Sequence, residues 1–295
     1  MLLVHPPVSV SRDFIDYPYF ADLGAVQLAA VLEATGHSVT LVDAYALESS
    51  SLDWRADGRA HLGAPVGDVL GSIARAGQLE DFDLVIVAYT PFHRPGHRDD
   101  VLAALLAALR GWVPSTPVVL ADCYQSGQHY VEASGDEVLR AYPEVDAWIK
   151  YEAEVTVPRV LDALLVDGPR PAGVVRGESP ALLDALAWPA WHKIDLNAYF
   201  AFHQRVVAAL GRGAWAFPID GRTLPAVTSR GCPYSCVHCS SNPGRAPGEP
   251  KVQRRYSPAR LREYVRTLVG VHGATRIEVL DELVNVNEEH FDTLL

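Results

Sequence analysis

The stretch Leu28-Ala-Ala-Val-Leu-Glu-Ala-Thr-Gly-His-Ser-Val-Thr-Leu-Val-Asp43 decides the fold class, because it contains the end of a helix and the strand that follows it. Apolar residues recur at helical spacing over residues 23–35, and Gly36 ends this helix. Residues 38–43 are rich in β-branched and apolar side chains, which predicts a strand. A helix, a short turn and a buried strand are the repeating unit of an α/β protein.

The same alternation extends outward on both sides of this stretch. It predicts strands at residues 2–4, 82–88, 117–121 and 145–149, and helices at residues 100–110, 135–141 and 155–166. Alternating elements with short connections indicate a doubly wound parallel sheet over residues 1–168. Such sheets bind ligands beyond the carboxyl ends of their strands, here at His5-Pro6-Pro7, Tyr89-Thr90-Pro91 and Asp122-Cys123-Tyr124. A dinucleotide is not the expected ligand, since no Gly-x-Gly-x-x-Gly and no Walker loop is present.

A second informative stretch is Ser229-Arg-Gly-Cys-Pro-Tyr-Ser-Cys-Val-His-Cys-Ser240, which places Cys232, Cys236 and Cys239 on one short loop. Three thiolates so close together can hold three irons of a cubane 4Fe-4S cluster and leave the fourth iron free to bind a small molecule. A structural zinc site is the alternative, but it usually takes four ligands in two separated pairs, and the sequence has no second pair. A disulfide framework is excluded, because 4 cysteines in 295 residues are too few for a disulfide-rich domain.

The residues around the cysteine loop predict the opening of a TIM-type β/α barrel over residues 223–295. Residues 224–229 form an apolar strand before the loop, and Ser257-Pro258 begins a helix as N-cap and first helical residue. A second strand is predicted at residues 276–280 and a second helix at residues 287–295. Residues 169–222 are rich in proline and glycine and are expected to be an irregular linker that packs against a domain through its tryptophans.

The Cys-x3-Cys-x2-Cys spacing resembles the signature of the radical S-adenosylmethionine superfamily. The order of the two halves, the opening Val4-His-Pro-Pro7 and the run Tyr142-Pro-Glu-Val-Asp-Ala-Trp-Ile-Lys-Tyr-Glu-Ala-Glu154 resemble the cobalamin-dependent members of that superfamily. The resemblance implies a Rossmann-like cobalamin-binding domain followed by a radical S-adenosylmethionine barrel, with a 4Fe-4S cluster, S-adenosylmethionine and cobalamin as cofactors. It implies cluster ligands at Cys232, Cys236 and Cys239, and cofactor-binding residues at His5, Pro6, Pro7, Tyr89, Thr90, Asp122, His238 and Asp281.

The role of Asp281 and the axial ligand of cobalt need separate comment within this resemblance. Asp281, at the end of the second barrel strand, is expected to face S-adenosylmethionine or substrate, or else to be a solvated or helix-capping carboxylate. Many cobalamin-binding domains carry Asp-x-His-x-x-Gly, whose histidine lies below cobalt, and this sequence has no such match. The resemblance therefore implies a cobalamin held without a histidine ligand.

The implied function is methyl transfer to an unactivated carbon or phosphorus of a natural product or tetrapyrrole-type small molecule, through a 5'-deoxyadenosyl radical and methylcobalamin. A radical cyclase or rearrangement enzyme that uses cobalamin without net methylation, and a noncatalytic cobalamin-binding module, are the alternatives. The resemblance implies a flavodoxin or ferredoxin as electron donor. No residue is assigned as catalytic.

Composition, length and a few single residues add further expectations. The net charge of -11 argues against nucleic-acid binding, which needs clustered basic residues. No leader-like segment or membrane-length apolar run is present, so we expect no membrane partner and a cytoplasmic location. Too few residues follow Cys239 to close a β/α barrel, which predicts that the chain supplies only its first units. His93 and His97 are expected to lie on a polar loop, and Cys123 is expected to be a small buried hydrophobe.

Overall fold

A six-stranded parallel sheet forms the centre of the chain in a computed structural model, which describes residues 1–11, 22–77, 82–93, 97–123, 133–210, 221–234 and 252–295. Its strands are β1 Leu2–His5, β3 Thr40–Asp43, β6 Val85–Tyr89, β7 Val118–Asp122, β8 Ala147–Lys150 and β9 Gly173–Arg176. Their order is β3-β1-β6-β7-β8-β9, and all neighbours pair in parallel. The chain adds β3 on one side of β1 and then crosses to add β6 on the other side, which creates a topological switch point between β1 and β6.

Helices cover both faces of this sheet, and they are α1 Leu23–Ala34, α2 Val66–Ala76, α3 Asp100–Trp112, α4 Gly135–Ala141 and α5 Thr156–Leu165. Residues of α1 and α5 belong to one apolar core. Residues of α2, α3 and α4 belong to a second core on the opposite face. The predicted doubly wound α/β fold is therefore confirmed. None of the helices in the described ranges combines the length and apolarity that a bilayer span requires.

A small antiparallel sheet, in the order β2-β5-β4, lies beside the main one. It consists of β2 Val8–Ser11, β4 Ser51–Trp54 and β5 Arg59–Gly63. No sequence pattern predicted β4, β5 or α2, because Gly58, Gly63 and several charged residues interrupt the apolar pattern there. Gly58 adopts a φ of 79° between β4 and β5, a left-handed conformation that favours glycine in a tight connection.

The linker is more ordered than its proline and glycine content predicted. It contains β9, which extends the parallel sheet beyond residue 168, and α6 Leu196–Leu210. The prediction of an irregular segment is therefore wrong for these residues. The expected packing of its tryptophans is confirmed: the Trp188 ring stacks on Tyr264 with centroids 4.5 Å apart.

The last part of the chain contains β10 Thr223–Ala226, β11 Ser229–Arg230, β12 Arg254–Arg255, α7 Pro258–Gly270, β13 Arg276–Val279 and α8 Glu288–Leu294. Strands β10 and β13 pair in parallel, with α7 between them in the sequence, as predicted. The Ser257 hydroxyl accepts the Arg260 N–H at 3.3 Å, so the predicted N-cap is confirmed as well. These elements form one β/α/β unit, and the closed barrel stays a prediction.

Candidate functional site

Cys232 follows a short strand that the C-terminal unit holds in place. Strand β11 pairs antiparallel with β12, and Gly231 then turns the chain at a φ of 85°. Cys232 is buried, and its Sγ accepts the backbone N–H of Tyr234 at 3.5 Å. Backbone N–H groups of this kind stabilise thiolate ligands. Cys236, His238 and Cys239 lie outside the described residues.

Asp281 fixes the residues that lead to Cys232. Its Oδ1 accepts the backbone N–H of Thr228 at 2.6 Å. Its Oδ2 accepts the hydroxyls of Thr228 and Ser229, both at 2.6 Å. The carboxylate is fully buried, so it is not solvated, and α8 is capped instead by the Asn287 side chain. Its predicted cofactor contact stays a prediction, because both oxygens here hold β11 in place.

His290 completes this arrangement from α8. Its Nε2 lies 2.9 Å from the Thr228 hydroxyl and 3.9 Å from Asp281 Oδ2, and the side chain is buried. Gln253 adds a bond from the other side, donating from its amide to the Ser229 hydroxyl at 3.1 Å. The residues before the cysteine loop are therefore held by three side chains of the unit: Gln253 before β12, Asp281 after β13 and His290 in α8.

A buried ionic network joins this strand to the parallel sheet. Arg230 donates to Glu152 at 2.9 Å and to Glu154 at 2.8 Å, and all three side chains are almost fully buried. Arg254 of β12 also contacts Glu152. Burial raises the pKa of Glu152, but attraction to Arg230 and Arg254 outweighs it, so the pKa lies below its ordinary value. Sequence patterns gave no sign of this network, because its partners are far apart along the chain.

The predicted crevice residues meet at the carboxyl edge of the parallel sheet. Here the structure brings together the ends of β1, β3, β6 and β7, with His5, Pro6, Pro7, Tyr89, Thr90 and Asp122 all buried. His5 and Asp43 are register partners on neighbouring strands. Their side chains meet at 3.0 Å, between His5 Nδ1 and Asp43 Oδ1. The Tyr45 ring packs against the imidazole in a T-shaped arrangement, with centroids 4.7 Å apart.

A second carboxyl group lies beside Asp43. Burial, followed by the charge of Asp43, raises the pKa of Asp22 well above its ordinary value. The hydroxyl of Tyr199, from α6, donates to Asp22 Oδ1 at 3.3 Å. Sequence patterns did not predict Asp22 or Asp43 as candidate site residues, although Asp43 ends the strand that decided the fold class.

His93 is buried, so its assignment to a polar loop is wrong, whereas His97 is exposed as expected. The Thr90 backbone N–H donates to His93 Nδ1 at 3.0 Å, and the imidazole stacks on the Tyr89 ring with centroids 5.5 Å apart. Burial, followed by the electrostatic influence of the neighbouring His5 ring, lowers the pKa of His93 to about 3. His93 is therefore a neutral side chain of the crevice.

Cys123, the residue after β7, is the last of the residues predicted at this edge of the sheet. It is fully buried, as expected, and burial followed by the Asp122 and Glu154 charges raises its pKa well above the ordinary value. A thiol in this state is a poor metal ligand, because ligation requires the thiolate. Over the described ranges, no three histidine, cysteine or acidic side chains converge as a ligand set.

Helix α1 lies between the two sets of residues. Asp22, immediately before it, belongs to the crevice, while Leu23 and Gln27 line a small cavity together with Arg230 and Tyr256. The first two turns of α1 therefore contact both the crevice and the strand that leads to Cys232.

Comparison with known proteins finds a similar curated protein. No protein-family model matches the chain. A curated protein of Pyrococcus horikoshii, described as an uncharacterized methyltransferase, is 28% identical over 177 residues, which cover 55% of this chain and 34% of the relative. The chain thus spans about a third of the length of that relative.

Proposed function

We propose that this chain is a cobalamin-dependent radical S-adenosylmethionine methyltransferase that acts on an unactivated carbon or phosphorus of a small molecule, a natural product or a tetrapyrrole-type compound. The cysteine triplet Cys232, Cys236 and Cys239 carries the proposal, because it offers three thiolates and leaves one iron of a cubane cluster open. The description of the Pyrococcus horikoshii relative as a methyltransferase supports the proposed reaction class.

The surroundings of Cys232 fit a cluster ligand. Its Sγ is buried beside a backbone N–H donor, and Asp281 holds the preceding residues by three hydrogen bonds. Hydrogen bonds to sulfur and low solvent exposure are the means by which proteins adjust iron-sulfur centres. The proposed role of Arg230 and Asp281 is to fix the direction in which the cysteine loop leaves β11.

The crevice of the parallel sheet fits a bound cofactor. His5 Nε2, His93 Nε2 and the Tyr89 hydroxyl are buried and have no hydrogen-bond partner among the described residues. Buried polar atoms normally have partners, and a ligand at the switch point would provide them. We assign this crevice to cobalamin, with contacts from Pro6, Pro7 and Thr90 as well.

When bound, the cluster supplies an electron, S-adenosylmethionine supplies a 5'-deoxyadenosyl radical and methyl groups, and cobalamin carries the methyl group to substrate. The protein residues bind and orient these groups and exclude water from them. The proposal includes a flavodoxin or ferredoxin as electron donor and a cytoplasmic location.

Metal analysis after anaerobic reconstitution tests the proposal. We expect about four irons and four sulfides per chain, together with one corrinoid. Cys236→Ala should abolish the iron absorbance, whereas Cys123→Ala should retain it, because Cys123 is a buried thiol of the sheet. Zinc in place of iron, or a cluster that survives Cys236→Ala, would refute the assignment. Cobalt without iron would identify a noncatalytic module.

A further inference from the structure

Two imidazoles lie at the switch point, where β1 and β6 diverge in the order of the sheet. His5 ends β1, and His93 lies in the short 3-10 turn Pro91–His93 that follows β6. Both side chains are fully buried, and the Nε2 atom of each has no partner among the described residues. The hydrogen bonds at the opposite nitrogens decide what each Nε2 can do.

His5 offers a lone pair. Its Nδ1 faces Asp43 Oδ1 at 3.0 Å, and a carboxylate oxygen accepts hydrogen bonds, so the ring proton resides on Nδ1. In the neutral imidazole, Nε2 then carries the lone pair and can act as a ligand. The same Asp43 oxygen accepts the Tyr45 backbone N–H at 2.8 Å, which fixes the carboxylate against the ring.

A second buried carboxyl group, that of Asp22, lies beside Asp43. Burial and the Asp43 charge favour the protonated form of Asp22, and Tyr199 donates to its other oxygen. A carboxylate that holds the far nitrogen of a histidine is the usual outer partner of a metal-binding imidazole, because it fixes the tautomer and makes the ligand nitrogen more basic.

His93 has the opposite tautomer. The Thr90 backbone N–H donates to His93 Nδ1 at 3.0 Å, so Nδ1 is the acceptor and Nε2 bears the proton. A protonated nitrogen cannot bind a metal. Of the two imidazoles at the switch point, only His5 therefore combines a lone pair on Nε2 with the absence of a hydrogen-bond partner among the described residues.

We propose that His5 Nε2 is an axial nitrogen ligand of the corrinoid cobalt, with Asp43 as the residue that positions it. The inference rests on the proposed binding of cobalamin in this crevice. It departs from the expectation drawn from the missing Asp-x-His-x-x-Gly motif. Here the carboxylate comes from β3, 38 residues away from the histidine, and a local motif cannot detect that pair.

Electron paramagnetic resonance of the Co(II) corrinoid bound to the full chain tests this inference. The probe is cobinamide, which lacks the nucleotide base, in phosphate buffer and with a chain that carries no histidine tag. Any axial nitrogen in such a sample comes from the protein. We expect each cobalt hyperfine line to split into a triplet, which becomes a doublet when the protein contains histidine labelled with the heavy nitrogen isotope.

Three variants locate the nitrogen. His5→Asn keeps a side-chain N–H that can donate to Asp43, so the fold is retained and the triplet should disappear. His97→Asn is the control, because His97 is exposed and has no assigned role in the crevice, and it should leave the triplet unchanged. Asp43→Asn should weaken axial coordination by about tenfold to a hundredfold, as is typical of losing an outer partner of a metal ligand.

The outcomes separate the inference from the proposed function. A retained cobinamide without nitrogen splitting, or a splitting that survives His5→Asn, overturns the axial assignment and leaves cobalamin binding intact. A chain that retains neither cobinamide nor cobalamin overturns both.

Discussion

Arg230 donates to Glu152 at 2.9 Å, although 78 residues separate them in the sequence. Arg230 lies two residues before Cys232, and Glu152 follows the β8 strand of the parallel sheet. Both side chains are almost fully buried. The strand that leads to the cysteine loop is therefore tied to the domain that contains the crevice.

Removing the arginine of this pair should be strongly destabilising. Arg230→Met leaves Glu152 and Glu154 buried with less compensation, and breaking a buried pair costs about 3–5 kcal/mol. Urea unfolding measures this loss. Arg159→Met is the matched control, because its pair with Glu178 is exposed and should contribute less than about 1 kcal/mol. Equal decreases in the free energy of unfolding in the two variants would show that the buried ion pairs contribute no more to stability than the exposed pair.

Acid should weaken the same network. The pKa of Glu152 in the folded chain lies below the ordinary value of 4.5, so its contribution to stability is present above that pH and is lost as the pH falls through the folded pKa. Glu152→Gln removes this titration. The difference in unfolding free energy between the native chain and Glu152→Gln should therefore shrink as the pH falls below 4.5. A difference that is constant with pH would contradict the depressed pKa.

Asp281 should be needed for the strand before Cys232. Asp281→Ala leaves the Thr228 N–H and two hydroxyls without their acceptor, and a buried donor without a partner costs about 1–3 kcal/mol. We expect a lower urea midpoint and a lower iron content after reconstitution. Asp292→Ala, on the exposed side of α8, is the control and should match the native chain in both measurements.

The contribution of Asp22 to stability should change with pH in the opposite direction to that of Glu152. Its folded pKa is raised, so its contribution to stability is present below the ordinary value of 3.8 and is lost as the pH rises through the folded pKa. Asp22→Asn keeps an N–H that can donate to Asp43 and removes the titration. The variant should gain stability relative to the native chain as the pH rises, in urea titrations over a pH series. A relative loss with rising pH would contradict a protonated Asp22.

The sequence predicted the elements whose signals are local. Residues 38–43 and Ser257-Pro258 illustrate this, because a β-branched run and an N-cap with a following proline depend only on neighbouring residues. Helix α6 was missed because prolines and glycines around it suggested an irregular segment. Strand β9 has only two valines and depends on pairing with β8.

The site was predictable to a smaller extent. The cysteine spacing and the strand ends made Cys232, His5 and Tyr89 candidate site residues, because these signals lie within short stretches of sequence. The pairs that position them, such as His5 with Asp43, arise when distant segments meet in the parallel sheet. Spacing along the chain contains no information about such pairs.

The most direct test of the central claim is the effect of S-adenosylmethionine on the paramagnetic resonance spectrum of the reduced, reconstituted chain. A cluster with one open iron should change its signal when the amino and carboxylate groups of S-adenosylmethionine bind that iron. Cys123→Ala should give the same change, and Cys236→Ala should give no cluster signal. A cluster signal that S-adenosylmethionine leaves unaltered, or no iron-sulfur signal at all, would contradict the account.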